Sequence, residues 1–110
     1  ISCVMGGIEE KLINDNPKLM SFMKEALEKN KFDILKIVPY RFTPQGMTGI
    51  FVLGESHLAF HTYPERSALY LGMYSCRGPN DAQNTINFLR RTINPKKYLE
   101  LSNHRVPLVF

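Results

Sequence analysis

The chain has no tryptophan, only two cysteines, and no apolar run long enough to cross a membrane. Two cysteines in 110 residues do not make a disulfide framework, so a reducing compartment is expected. With no membrane-spanning run and no signal-peptide pattern, the expected setting is cytoplasmic and soluble, without a membrane partner. Low-complexity segments are absent, and no internal repeat is convincing. There is no Walker loop, dinucleotide fingerprint or HExxH pattern. His57 and His61 lie four apart on a stretch that reads as strand rather than helix, so no metal site is expected. The net charge is +4, but the basic residues (Lys29, Lys31, Lys36, Arg41, Arg90, Arg91, Lys96, Lys97) are scattered rather than gathered in an arm. That scatter argues against a nucleic-acid partner.

What is present is ordinary globular material, 44% hydrophobic and 22% charged, enough for a single domain over residues 1–110. Residues 1–5 read as a strand closed by Gly6-Gly7, with Cys3 as core, and residues 8–15 as a helical turn or irregular connection. Asn16 then offers an N-cap with Pro17 at the first helical position. Leu19, Phe22, Met23, Ala26 and Leu27 recur at three- and four-residue spacing, which predicts a helix with one apolar stripe. Residues 32–41 are β-leaning, with Pro39 suggesting an edge or bulge near the end. Residues 47–53 and 57–62 read as strands jointed at Gly54-Glu55-Ser56, and residues 68–74 as another. Asn80 or Asp81 opens a second helix carrying Ala82, Ile86, Leu89 and Ile93 on one face, and residues 98–101 give a last strand. This order, β-α-β-β-β-β-α-β, predicts an α+β fold: a two-layer sandwich with a mainly antiparallel sheet and helices packed on one face.

The chemistry gathers around residues 41–65. Glu55-Ser56-His57 lies between two apolar runs, His61 follows five residues after the serine, and Cys76 twenty after it. Taken singly, Ser56 is a polar turn residue, His61 a sheet histidine bonded to backbone, and Cys76 a small buried hydrophobe. Phe42 and Glu65, taken singly, are a core aromatic and a surface carboxylate. Together, a hydroxyl with imidazoles and a thiol at hand is an arrangement in which a chain can react with itself. Gly54, just ahead, suits a strained or closely approached backbone. One geometric obstacle stands: a five-residue offset puts Ser56 and His61 on opposite faces of a regular strand, so they meet only if the chain bends there.

In order and spacing, Phe42-Thr43-Pro44-Gln45-Gly46-Met47-Thr48-Gly49, Gly54-Glu55-Ser56-His57-Leu58, His61-Thr62-Tyr63-Pro64-Glu65 and Tyr74-Ser75-Cys76 resemble the short prokaryotic-type S-adenosylmethionine decarboxylases. The resemblance implies self-cleavage between Glu55 and Ser56 into a β chain, 1–55, and an α chain, 56–110. Ser56 would be converted to a covalent pyruvoyl group, whose ketone forms a Schiff base with the substrate amine and which takes up the electrons released with carbon dioxide. Processing roles are implied for Glu55, Ser56, Thr48 and His61, and catalytic roles for Ser56, His61 and Cys76, the last as proton donor. Phe42 is implied to stack on adenine and Glu65 to bond ribose hydroxyls. A homodimer of cleaved protomers is implied, with sites where the protomers meet. The implied function is decarboxylation of S-adenosylmethionine for polyamine (spermidine) biosynthesis.

Three departures bear on the substrate. Cys3-Val4-Met5-Gly6-Gly7 lacks the acidic and aromatic residues usual in the first strand, Gly72 stands where an aspartate is typical, and Cys76-Arg77-Gly78 replaces Cys-Gly. Arg77 adds a cation that suits a carboxylate. An arginine or ornithine decarboxylase of the same pyruvoyl type is therefore the alternative on this scaffold. An uncleaved, non-catalytic homologue acting as a binding subunit is the alternative of another class.

Overall fold

The computed structural model describes residues 1–78 and 80–104. Six strands form one sheet: β1 (Ser2–Gly6), β2 (Ile34–Arg41), β3 (Met47–Leu53), β4 (Ser56–Tyr63), β5 (Ala68–Tyr74) and β6 (Lys97–Ser102), in the spatial order β2-β3-β4-β5-β1-β6. Every neighbouring pair is antiparallel. The helices α1 (Glu10–Ile13), α2 (Asn16–Lys29) and α3 (Asp81–Ile93) cover one face, so the expected α+β sandwich is the architecture found.

Period-two burial explains the two faces. On β3, β4 and β5 every second residue is buried: Met47, Gly49, Phe51 and Leu53; Ser56, Leu58, Phe60 and Thr62; Leu69, Leu71 and Met73. The register sets Phe51 opposite Leu58, Phe60 opposite Leu71, and Cys3 opposite Leu71 across β1, so the apolar row runs unbroken through the four central strands from β3 to β1. Leu19, Met23, Ala26 and Leu27 of α2 and Ala82, Ile86, Leu89 and Ile93 of α3 close over it. Gly49 is needed in that row. A Cβ there would lie 2.3 Å from Phe60 Cε1, inside the space the ring fills.

The element boundaries follow local chemistry with three corrections. The N-cap of α2 is Asp15, not Asn16: its Oδ1 accepts the Lys18 N–H at 3.1 Å, and Asn16 and Pro17 are already helical. Pro39 lies on an edge strand as its missing N–H requires, but the bulge of β2 sits at the other end, between Ile34 and Lys36. Ser56 already pairs with Leu53 in the ladder, so the joint between β3 and β4 is the two residues Gly54 and Glu55. The left-handed residue there is Glu55, with φ +59°; Gly54 needs no such conformation.

Among the described residues, no helix lies on the sheet's other face. Ile50 and Val52 of β3, His57, Ala59 and His61 of β4, and Tyr70, Gly72 and Tyr74 of β5 lie there, with Val38 and Tyr40 of β2 continuing the surface.

Candidate active site

The β3–β4 hairpin carries most of the candidate residues and distributes them between its two ends. At the turn end, Ser56 is 8% exposed and directed toward the helix layer. Cys76, just past β5, reaches it because His57 pairs with Tyr74, which brings the chain end of β5 beside the start of β4. The Cys76 N–H donates to Ser56 Oγ at 3.3 Å, and Cys76 Sγ lies 3.6 Å from that oxygen. The same thiol donates to the carbonyl oxygen of Glu55 at 2.7 Å. That carbonyl belongs to the 55–56 peptide bond, and Glu55 holds it in the left-handed region that costs a side-chain-bearing residue roughly 1–2 kcal/mol.

A hydroxyl beside a carbonyl that already receives a hydrogen bond is an arrangement for attack on that carbonyl. The donor draws electron density off the carbon and is placed to stabilise the oxyanion that attack creates. Sequence reasoning singled out Cys76 for a later proton transfer and did not anticipate this contact, since nothing in the spacing of 55 and 76 reports it.

The far end of the hairpin holds a second group. Thr48 Oγ1 and His61 Nδ1 are 2.7 Å apart across the paired positions 48 and 61. This bond occupies one ring nitrogen and leaves Nε2 for proton transfer. The His61 ring also lies against Tyr70, with centroids 5.8 Å apart. Beyond the hairpin end, Phe42 is 52% exposed and packs at 5.0 Å against Tyr40, while Glu65 accepts a hydrogen bond from Gln45 Nε2 at 3.2 Å. His57 shares the open face with His61 and lies flat against Tyr74 at 6.1 Å.

The two groups do not meet within one chain. β4 pairs residue for residue with β3 over 56–61 and with β5 over 57–63, so the strand does not bend between Ser56 and His61. Five residues of strand span about 17 Å, and the odd offset directs the two side chains to opposite faces.

Arg77 is not a free cation for a substrate carboxylate. Its guanidinium is engaged by Asp81 and by backbone carbonyls of the helix layer. Among the described residues, no group of three or more His, Cys, Asp or Glu side chains could hold a metal ion, and no helix is long and apolar enough to cross a membrane.

The S-adenosylmethionine decarboxylase family profile matches residues 2–105. S-adenosylmethionine decarboxylase proenzymes of Brevibacillus brevis and Thermoplasma volcanium are 38% and 33% identical to this chain. The alignments cover 83% and 81% of this chain and 68% of each relative. The solved structure of the adenosylmethionine decarboxylase from Aquifex aeolicus superposes with a TM-score of 0.81 over 94% of this chain and 93% of that one, at 20% identity, a likeness of fold. With the profile spanning nearly its whole length and relatives above 30% identity, the chain belongs to the S-adenosylmethionine decarboxylase family of carboxy-lyases.

Proposed function

We propose that this chain is a self-processing, pyruvoyl-dependent decarboxylase that cuts its own backbone between Glu55 and Ser56 and acts on S-adenosylmethionine. The observation that carries the reading is the Cys76 thiol, 2.7 Å from the Glu55 carbonyl oxygen and 3.6 Å from Ser56 Oγ. The hydroxyl attacks the Glu55 carbonyl carbon, the 55–56 amide bond breaks as the ester forms, and the hydroxyl proton passes to the released nitrogen. Loss of the Ser56 α-proton then expels Glu55 as a carboxylate, and hydrolysis of the remaining dehydroalanine releases ammonia and leaves a pyruvoyl group on the new amino terminus. Relief of the left-handed Glu55 conformation favours the cut.

The residues present fit that group. It arises in place from Ser56, beside a thiol that supplies a proton and an amide N–H that supplies a hydrogen bond. Once formed, it supplies an electron sink for decarboxylation of an amine-bearing substrate. Cys76 then holds the proton that replaces carbon dioxide. His61, oriented by Thr48, is the base for the α-proton of the ester. Phe42 offers an exposed ring for adenine and Glu65 a carboxylate for ribose hydroxyls.

Because the Ser56–Cys76 group and the Thr48–His61 group lie at opposite ends of one hairpin, a complete site takes them from two copies of the chain. A two-fold pairing of open sheet faces, with its axis across the strands, sets one end of each hairpin against the opposite end of the other, where the two groups can meet around the turn. The names of the relatives favour S-adenosylmethionine over arginine or ornithine.

Intact mass spectrometry of the purified protein tests the reading. Two fragments, 1–55 and 56–110 on this numbering, are expected, the second bearing a pyruvoyl in place of serine. A single full-mass chain, or an ordinary serine at the new terminus, overturns it. Carbon dioxide release from S-adenosylmethionine is expected; release from arginine or ornithine alone overturns the substrate.

A further inference from the structure

We propose that Arg77 is a positioning residue that clamps the Cys76 segment between two helix ends and so holds the thiol on the 55–56 peptide bond. The proposal deepens the cleavage reading above and rests on it for its effect on the cut. Arg77 Nη1 donates to the Lys31 carbonyl and Nη2 to the Asn30 carbonyl, each at 2.5 Å. Asn30 caps the C-terminus of α2 and Lys31 follows it with φ +61°, so these carbonyls lie where helix geometry leaves acceptors without intrahelical partners. Nε donates to Asp81 Oδ2 at 2.8 Å, and Asp81 is the first residue of α3. The guanidinium carbon stands 3.7 Å from the centre of the Phe32 ring, a side chain 6% exposed.

One planar cation thus satisfies the negative end of α2, pairs with the acid that opens α3, and stacks on the core between them. Cys76 is the adjoining residue. Among the described residues, the hydrogen bonds tying 75–78 to the rest of the fold are those of Cys76 to Glu55 and Ser56 and those of Arg77. The Arg77 N–H bonds only locally, to Ser75 Oγ at 3.3 Å. A side chain added at Gly78 would meet nothing within 4 Å, so open space lies beside the chain just beyond Arg77. With the ladder ending at Tyr74, the Arg77 side chain is the anchor on the far side of the thiol.

The test reads the thiol itself. In a Ser56→Ala chain, which stays uncut, iodoacetamide labelling is followed at Cys76 and Cys3 by peptide mass. Cys3 is fully buried and reports any general loosening. Adding Arg77→Ala is expected to speed Cys76 labelling severalfold while Cys3 stays protected, with Arg77→Lys between the two because a lysine keeps the charge but not the paired donors. In the chain that retains Ser56, Arg77→Ala is expected to slow cleavage by roughly tenfold to a hundredfold, the scale of an ångström of misplacement. Unchanged Cys76 labelling, cleavage at the parent rate, or Cys3 labelled in step with Cys76 would each overturn the proposal. If the Ser56-containing parent does not cleave at all, the cleavage reading falls, and the labelling still decides the clamp.

Discussion

Glu55 carries a backbone conformation that its side chain disfavours, at the bond proposed to break. Glu55→Gly in a Ser56→Ala background should therefore stabilise the uncut chain by about 1 kcal/mol, measured by urea unfolding, because glycine adopts positive φ without the Cβ clash. Thr48→Val leaves His61 Nδ1 without its 2.7 Å partner. Cleavage followed on denaturing gels should slow by about tenfold, less than the roughly hundredfold or more that losing a general base itself would cost. Away from the site, the Tyr98 hydroxyl is buried without a hydrogen-bond partner among the described residues, and its ring lies under the Arg90 guanidinium. Burial pushes its ionisation from the ordinary 10.0 up to about 12, and the Cys3 thiol acts in the same direction without reaching it in hydrogen-bond geometry. Burial likewise raises the Cys3 thiol. A folded-state pKa above the unfolded one means the unfolded chain releases the proton first, so this contribution is whole below pH 10 and is lost as pH rises through about 12. Tyr98→Phe should flatten the fall in unfolding midpoint over that window.

Among the elements, α2 is the best specified by its own residues: a bonded cap at Asp15, a proline in the first turn, and a stripe of Leu19, Met23, Ala26 and Leu27 that is buried as spaced. Asp15→Ala should cost about 1 kcal/mol by denaturant unfolding, the usual value of a lost N-cap. The β3–β4 hairpin depends on a different device, the empty space at Gly49. Gly49→Ala must displace the Phe60 ring, which is fully buried, and should destabilise by about 1–3 kcal/mol. The position of Gly49 beneath that ring is invisible in a linear reading, because it depends on which residue of the neighbouring strand stands opposite.

For the whole molecule, the consequential feature is the uncovered sheet face. Ile50 and Val52 remain 38% and 39% exposed there, beside His57, His61 and the β5 tyrosines. The paired double variant Ile50→Glu with Val52→Glu should leave the circular dichroism of one folded chain unchanged, since neither side chain enters the helix-covered core. If the parent pairs as proposed, sedimentation should show a dimer for it and a monomer for the variant, and decarboxylase activity should be lost with the second copy's half of the site. Activity retained by such a monomer would contradict a site shared between copies.

The sequence alone determined the element order and the α+β class, because periodicity, caps and turn residues act over a few neighbours, and it singled out the contiguous Glu55-Ser56-His57 as the candidate stretch. It also stated correctly that residues 56 and 61 fall on opposite faces of a straight strand. Tertiary structure decided whether the strand bends, and pairing on both sides of β4 keeps it straight. It likewise decided that Cys76 touches the Glu55 carbonyl and that Arg77 is spent on helix ends rather than left for a substrate. The i,i+4 spacing of Arg77 and Asp81 was the one local signal of that clamp. The carbonyls of residues 30 and 31 are 47 and 46 positions away along the chain, and only the packing of α2 against α3 brings them within reach.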